Sequence, residues 1–314
     1  MSMQTSYQPG YNERKLLIIT VLIILIVVIV AAVFLPIKGM VPTIGEISVE
    51  AVGLIKIKGT LAESHGFTIL GPTTGIQSYI DMLEEARKDP SIKAVLLYVD
   101  SPGGTVSASE RLYYEVEKLT REKIVVAYIE GYGASGAYMM ILPSKKIIAS
   151  ESSLVGSIGV YTIIINYRGL LDRLGITVYT FKSGKLKDVG SPYRNMTMED
   201  KKVYEEIVSD FFKIFKERVN KYRVINDPEA FTGRPYTTIR AKEIGLIDDI
   251  GTLEYAINET KRLAGLPPDA PVRELKPPKP GLLDILFGSF SNPRVRVIPS
   301  QEILAIWPPP VIEP

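Results

Sequence analysis

The sequence predicts an α/β domain built on a mainly parallel sheet, preceded by one apolar N-terminal helix. Three observations carry that expectation. Beyond residue 46, β-branched runs alternate with stretches whose apolar residues recur at helical spacing. Two of the runs, "IKAVLLYVD" (92–100) and "KIVVAYIE" (123–130), are apolar almost throughout, as strands covered on both faces must be. Ahead of them, Leu16–Leu35 offers a single polar side chain, Thr20.

That first segment is expected to be a transmembrane helix over 16–35. At ~1.5 Å per residue it reaches roughly 30 Å, the thickness of a bilayer core. Arg14 and Lys15 precede it, although Glu13 lies beside them and Lys38 follows. The positive-inside bias therefore places residues 1–15 in the cytoplasm and the rest of the chain beyond the membrane. The apolar run is too long for a signal-peptide core, and no small-x-small cleavage site precedes Pro36. Residues 36–45, "PIKGMVPTIG", read as a stalk.

From 46 to 265 the elements follow in order. "ISVEAVGLIKIKG" is a strand or hairpin. "TGIQSYIDMLEEARKDP" carries Ile76, Ile80, Met82 and Leu83 at helical spacing and stops at Pro90. The strand 92–100 comes next, then a helix around Val106–Leu119, the strand 123–130, a short helix after Gly136 ending at Pro143, and "KKIIAS". "SIGVYTIIINY" and "ITVYTFKSG" read as further strands, with "RGLLDRL" a helix between them. Thr197–Asp200 resembles a capping box with Asp in the Glu position. It opens a long helix with Val203, Ile207, Phe211, Ile214, Phe215, Val219 and Tyr222 on one face. "TIRAKEIGLIDDIG" and "TLEYAINETKRLAG" supply the closing helices. Residues 266–314 form a proline-rich linker and tail, in which "GLLDILFGSF" is apolar and "PPPVIEP" reads as a frayed end.

Composition excludes several chemistries. The net charge is +2, so no broad field points to nucleic acid. The absence of cysteine removes disulfides, thiolate catalysis and cysteine-ligated metal. The single histidine, His65, rules out any site that needs two histidine ligands.

"IEGYGASGAY" (129–138) fits two templates. Gly131, Gly133 and Gly136 match the dinucleotide fingerprint, with Glu151 where a ribose-binding acid belongs. Gly133–Ala137 nearly matches G-x-S-x-G, the turn that presents a nucleophilic serine. Pro143 cuts the following helix short and Glu130 stands where pyrophosphate would approach, which weighs against the first template. "VDSPGG" (99–104) ends the preceding strand, and in a parallel sheet the carboxyl ends of neighbouring strands face one crevice. Gly103–Gly104 and Ser135 could thus line it together, with backbone amides, Gly136 among them, aimed at a developing oxyanion. A serine nucleophile needs a base. His65, Lys182, Lys185 and Lys187 are the candidates.

Together these stretches resemble the signal peptide peptidase A family of membrane-bound serine proteases. The resemblance spans most of residues 46–263 through "DSPGG", "GYGASGAYMM", "VGSIGV", "FKSGKLKDVGSPYR", "MTMEDK" and "GRPYTTIRAKEIGLID", with Ala137 where the family more often has glycine. It implies a Clp-protease/crotonase-like fold of repeated ββα units. It also implies Ser135 as nucleophile, Lys187 as general base, and Gly104 and Gly136 as the oxyanion hole. No metal or cofactor is implied. The expected substrates are released signal peptides and unfolded membrane-protein segments, the expected assembly is a homo-oligomer, and lipid is met through residues 16–35. Lys187 follows Ser135 by 52 residues, a longer interval than in stomatin-partner-type proteases, which remain an alternative. A crotonase-type acyl-CoA enzyme is another, as it would share the oxyanion glycines and survive loss of Lys187. A dry pocket is required in any lysine mechanism. Near its ordinary pKa only about one lysine in 2,500 is neutral at pH 7, and a shift of about 3 units, or about 4 kcal/mol, is needed.

Overall fold

The computed structural model describes residues 11–34, 49–64, 66–68, 71–277 and 303–306. His65, the stalk 36–45, "GLLDILFGSF" and "PPPVIEP" lie outside the described residues. The chain divides into two units, Met1–Ser48 and Val49–Pro314.

The described part of the first unit is the helix α1, Tyr11–Phe34. Among the described residues no helix is long and apolar enough to cross a membrane. This qualifies the expected span over 16–35. On α1, Leu16 to Val28 are exposed all round, and the Thr20 hydroxyl donates back to the Leu16 carbonyl at 2.9 Å.

The second unit is α/β. Its main sheet runs in the order β11 (Pro235–Thr237), β9 (Leu154–Gly156), β7 (Ile124–Ala134), β5 (Ile92–Ser101), β1 (Ala51–Lys58), β13 (Val272–Glu274). On the same edge of β7 as β9, but further back, β8 (Lys146–Ala149) pairs in turn with β12 (Asp249–Ile250). Every pairing in this sheet is parallel except β9 with β11. The long central strands come from the runs that read as doubly covered, and the period of two shows why. On β5, Val95, Leu97 and Val99 join one core cluster with Leu83, Leu112 and Val116, while Leu96 joins another with Ala256 and Leu266. Helices α2 (Gln77–Lys88), α3 (Val106–Thr120), α4 (Gly136–Ile141), α6 (Met198–Tyr222) and α7 (Thr238–Glu243) contribute to the first cluster, α8 (Leu253–Leu263) to the second.

A second sheet, in the order β10 (Tyr161–Thr162), β14 (Ile303–Ile306), β6 (Gly103–Thr105), β2 (Thr60–Ala62), β4 (Gly71–Gly75), β3 (Gly66–Thr68), lies beyond the carboxyl ends of β1 and β5. The capping box of α6 forms as read. Thr197 Oγ1 accepts from the Asp200 N–H at 3.1 Å, and Asp200 Oδ2 accepts from the Thr197 N–H at 2.9 Å.

Two strands expected from the sequence differ. "SIGVYTIIINY" yields only the two-residue β10, and "ITVYTFKSG" forms no strand. The helix α5 (Arg168–Arg173) between them buries no residue, and Tyr179 and Phe181 stand 78% and 95% exposed. The β-branched pattern is present there, but in the excursion 163–197 no segment joins either sheet among the described residues.

Candidate active site

Ser135 occupies the joint between β7 and α4, at φ 52° and ψ −121°. A side-chain-bearing residue enters that region only when its surroundings force it, at a cost of about 1–3 kcal/mol. The forcing contacts are visible. The Ser135 N–H donates to the Gly156 carbonyl at 2.7 Å, and its own carbonyl accepts from the Met139 N–H at 2.9 Å, which starts α4. Every residue of α4 is buried, and Tyr138 locks it by donating to the Leu246 carbonyl at 2.7 Å. Ser135 is 1% exposed, and its hydroxyl reaches only the Gly159 carbonyl among the described residues, at 3.4 Å, a long bond that leaves it available for another acceptor.

The neighbouring strand delivers the second part. Ser101 lies opposite Gly133 in the β5–β7 ladder, so the "SPGG" turn emerges beside Ser135 and β6 packs against α4. The buried Ser101 hydroxyl donates to the Gly59 carbonyl at 2.7 Å and accepts from the Gly103 N–H at 3.2 Å. Gly104 then sits against β2 so closely that a Cβ there would lie 1.8 Å from the Leu61 carbonyl oxygen. Glycine is obligatory at that position. On its other side, β14 runs antiparallel to β6 with Ala305 opposite Gly104.

The three lysine candidates separate sharply. Lys182 donates to Asp188 Oδ1 at 2.6 Å and to the Lys185 carbonyl at 2.9 Å. Lys185 is ion-paired with Glu199. Lys187 is exposed, and its ammonium makes no ion pair or hydrogen bond among the described residues; only its backbone is tied, the N–H donating to the Gly184 carbonyl at 3.1 Å. The single chain therefore brings Ser135, Gly136 and Gly104 together and leaves Lys187 in solvent on the excursion, without the dry pocket a lysine base requires.

The dinucleotide template fails on geometry. The Gly131 N–H is taken by Ser153 Oγ at 3.2 Å and the Tyr132 N–H by Asp100 Oδ1 at 3.2 Å. Two carboxylates, Asp100 and Glu130, thus flank the turn where a pyrophosphate would need free amides. Glu151 is exposed, and its carbonyl accepts from Thr238.

One residue of the site escaped the sequence reading. Ser157 also adopts a positive φ, 49°, its hydroxyl donating to the Gly233 carbonyl at 3.0 Å and its N–H to the Arg234 carbonyl at 3.1 Å. It follows Gly156, the residue that holds the Ser135 amide. A serine between two glycines after a strand, "VGSIGV", is the signal that could have found it.

The family model for peptidase family S49 matches residues 117–267, a range that contains Ser135, Gly136 and Lys187 but not Gly104. A Methanocaldococcus jannaschii protein designated a protease is 43% identical over 191 residues, covering 60% of this chain and 61% of its own. A protein of Enterococcus faecium designated signal peptide peptidase SppA is 36% identical over 217 residues, 68% of this chain and 63% of its own. One from Synechocystis sp., designated a protease, is 34% identical over 200 residues, 62% of this chain and 71% of its own. The chain thus spans about three fifths of the length of the first two.

Proposed function

The chain belongs to peptidase family S49, and on that premise we propose that it is a membrane-anchored serine endopeptidase of the Ser-Lys type, acting on extended peptides. The observation that carries the reading is Ser135: a buried, conformationally strained serine whose hydroxyl makes one long bond among the described residues, set beside a glycine turn.

In this reading Ser135 Oγ gives its proton to the Lys187 amine and attacks a peptide carbonyl. The N–H groups of Gly104 and Gly136 donate to the oxyanion, Gly103's being committed to Ser101. The lysine passes its proton to the leaving amine, and water activated by the same amine then hydrolyses the acyl-enzyme. The chemistry needs only these groups and water.

Drying the lysine falls to a second copy of the chain. The excursion 163–197 exposes Leu170, Leu174, Ile176, Tyr179 and Phe181, an apolar set out of place in water, close in sequence to Lys187. A homo-oligomer that covers this set would exclude water from the amine.

Substrates are released signal peptides and unfolded membrane-protein segments, bound as an added strand. Support comes from the edge of β6, which already accepts an antiparallel strand, β14, alongside Gly104. The exposed apolar surface of α1 and the apolar sequence 16–35 support a lipid anchor, with Arg14 and Lys15 on the cytoplasmic side and the catalytic unit beyond the membrane. Hydrolysis of an unfolded peptide by the full chain and by its Ser135→Ala form tests the reading; equal rates would end it.

A further inference from the structure

Asp188 directly follows Lys187, and a carboxylate in contact with the proposed base would hold it protonated. The structure gives that carboxylate other partners. Arg194 Nε donates to Asp188 Oδ2 at 2.9 Å and Arg194 Nη2 to Oδ1 at 3.0 Å, a two-pronged pair. Lys182 adds a further bond to Oδ1 at 2.6 Å. These contacts hold the Asp188 carboxyl well below the usual carboxylate range, Arg194 being the larger cause.

The same guanidinium reaches α6. Its Nη2 donates to Asp200 Oδ1 at 3.0 Å, Nη1 bonds Asp200 Oδ2, and Nη1 also donates to the Asn195 carbonyl at 3.1 Å. Asp200 is 1% exposed and already fixed as the acid of the capping box. Asp188 is therefore tethered to the buried Asp200 in the first turn of a 25-residue helix, and Lys187 is one residue from the tether.

We propose that Arg194 is a positioning residue for the general base: it fixes the turn that presents Lys187 and keeps the Asp188 carboxylate off the lysine amine. This rests on the assignment of Lys187 as base. The charged groups around the turn are Lys182, Lys185, Asp188 and Arg194 on the excursion, with Glu199 and Asp200 from α6. Each of the three acids has a cation, and Lys187 alone of the cations on 182–194 pairs with none of them among the described residues. Without Arg194, Asp200 loses its only ion pair among the described residues and Asp188 keeps Lys182. Lys187 is then the cation next to it along the chain. A lysine at 194 is a poor substitute, because a point charge cannot fork to two carboxylates at once.

The test is the pH profile of kcat/KM for the full chain and for Arg194→Met, Arg194→Lys, Arg194→Met with Asp188→Asn, and Lys187→Met. Arg194→Met is expected to move the acid limb upward by about one pH unit or more, since a lysine gaining a carboxylate neighbour is harder to deprotonate. Arg194→Lys falls between, and supplies the same reading by a smaller shift if methionine prevents folding. Adding Asp188→Asn should return the limb toward the wild-type position although the tether stays broken, which a merely structural role would not do. An unmoved limb in Arg194→Met, or a shift that Asp188→Asn does not reverse, overturns the proposal. Lys187→Met separates the two failures. If it is inactive while Arg194→Met titrates normally, only the role of Arg194 is lost; if it is active, the base assignment itself goes.

Discussion

Ser101 and Gly133 face each other across the parallel β5–β7 ladder, and that register brings the Gly103–Gly104 turn and Ser135 out at the same end of the sheet. A slip of one residue would turn every side chain of one strand to the other face and part the two loops. The candidate site is thus a property of strand alignment as much as of side chains, and its parts can be perturbed one at a time.

Ser135 can be separated from its strain. Ser135→Ala should abolish peptide hydrolysis and keep the fold, with the strain unrelieved at φ 52°. Ser135→Gly should be equally inactive yet more stable, by about 1 kcal/mol after glycine's entropic cost, or about 2–4 °C in Tm. Calorimetry beside a peptidase assay checks both.

Gly104→Ala meets backbone, since its Cβ would lie 1.8 Å from the Leu61 oxygen. Strands β2 and β6 must part, taking the Gly104 amide with them. Loss of one oxyanion donor corresponds to a fall in kcat of about 10²–10³. The expected signature is a kcat defect larger than any change in KM.

β14 lies along the edge of β6 that an added peptide strand would use. Replacing Leu304 and Ala305 together by proline removes two backbone donors and disfavours the pairing. The double variant should bind peptide more tightly, seen as a lower KM with kcat little changed. An unaltered KM would mean that peptide and β14 do not share this edge.

If a second copy dries Lys187, activity should depend on concentration. Specific activity is expected to fall on dilution as the assembly dissociates, and Phe181→Asp should bring on that loss at higher concentration. Ultracentrifugation across the same range ties rate to mass; a constant rate from a dissociating sample would count against the idea.

Acid stability follows from two carboxylates with depressed folded-state pKa values. Hydrogen bonds from Lys221 and then Tyr222 hold Glu117 down at about 2, and Arg262 and then Lys146 hold Glu259 at about 2, against an ordinary value of 4.5. Because the folded pKa lies below the unfolded one, their contribution is complete above about pH 4.5 and is lost as pH falls through about 2. Tm should drop across that window, and Glu117→Gln with Glu259→Gln should flatten the drop while lowering the plateau above it.

Much of the site was legible because its constraints are local. A buried strand shows itself as an unbroken apolar run, and a turn that admits no Cβ shows itself as Gly103–Gly104. The capping box at Thr197–Asp200 could be read for the same reason. What could not be read depends on distant partners. Residues 176–184 carry a strand's pattern, yet the pattern says nothing about whether a neighbour exists, and Phe181 is left in solvent. Nor does anything near Ile303–Ile306 announce an alliance with Gly103–Thr105, far earlier in the chain. The environment of Lys187 is of this kind too, since its single-chain surroundings are open.

β7 lends one edge to two partners in succession, β8 along Val126–Ile129 and β9 along Tyr132–Ala134. The division gives the strand two separate duties, one on each side of the register shift against β5 between Ile129 and Gly133. Its rear half is bolted through β8 to β12, while α8 packs against β7 and β5 from the face opposite the main core. Its front half meets β9, whose Gly156 carbonyl accepts from the Ser135 N–H. Damage to the rear would weaken the whole body while sparing the geometry at the tip, and damage to the front would blunt the tip within an intact body. Inherited variation in such a protein should therefore sort into two phenotypes, scarce but competent molecules and abundant but silent ones.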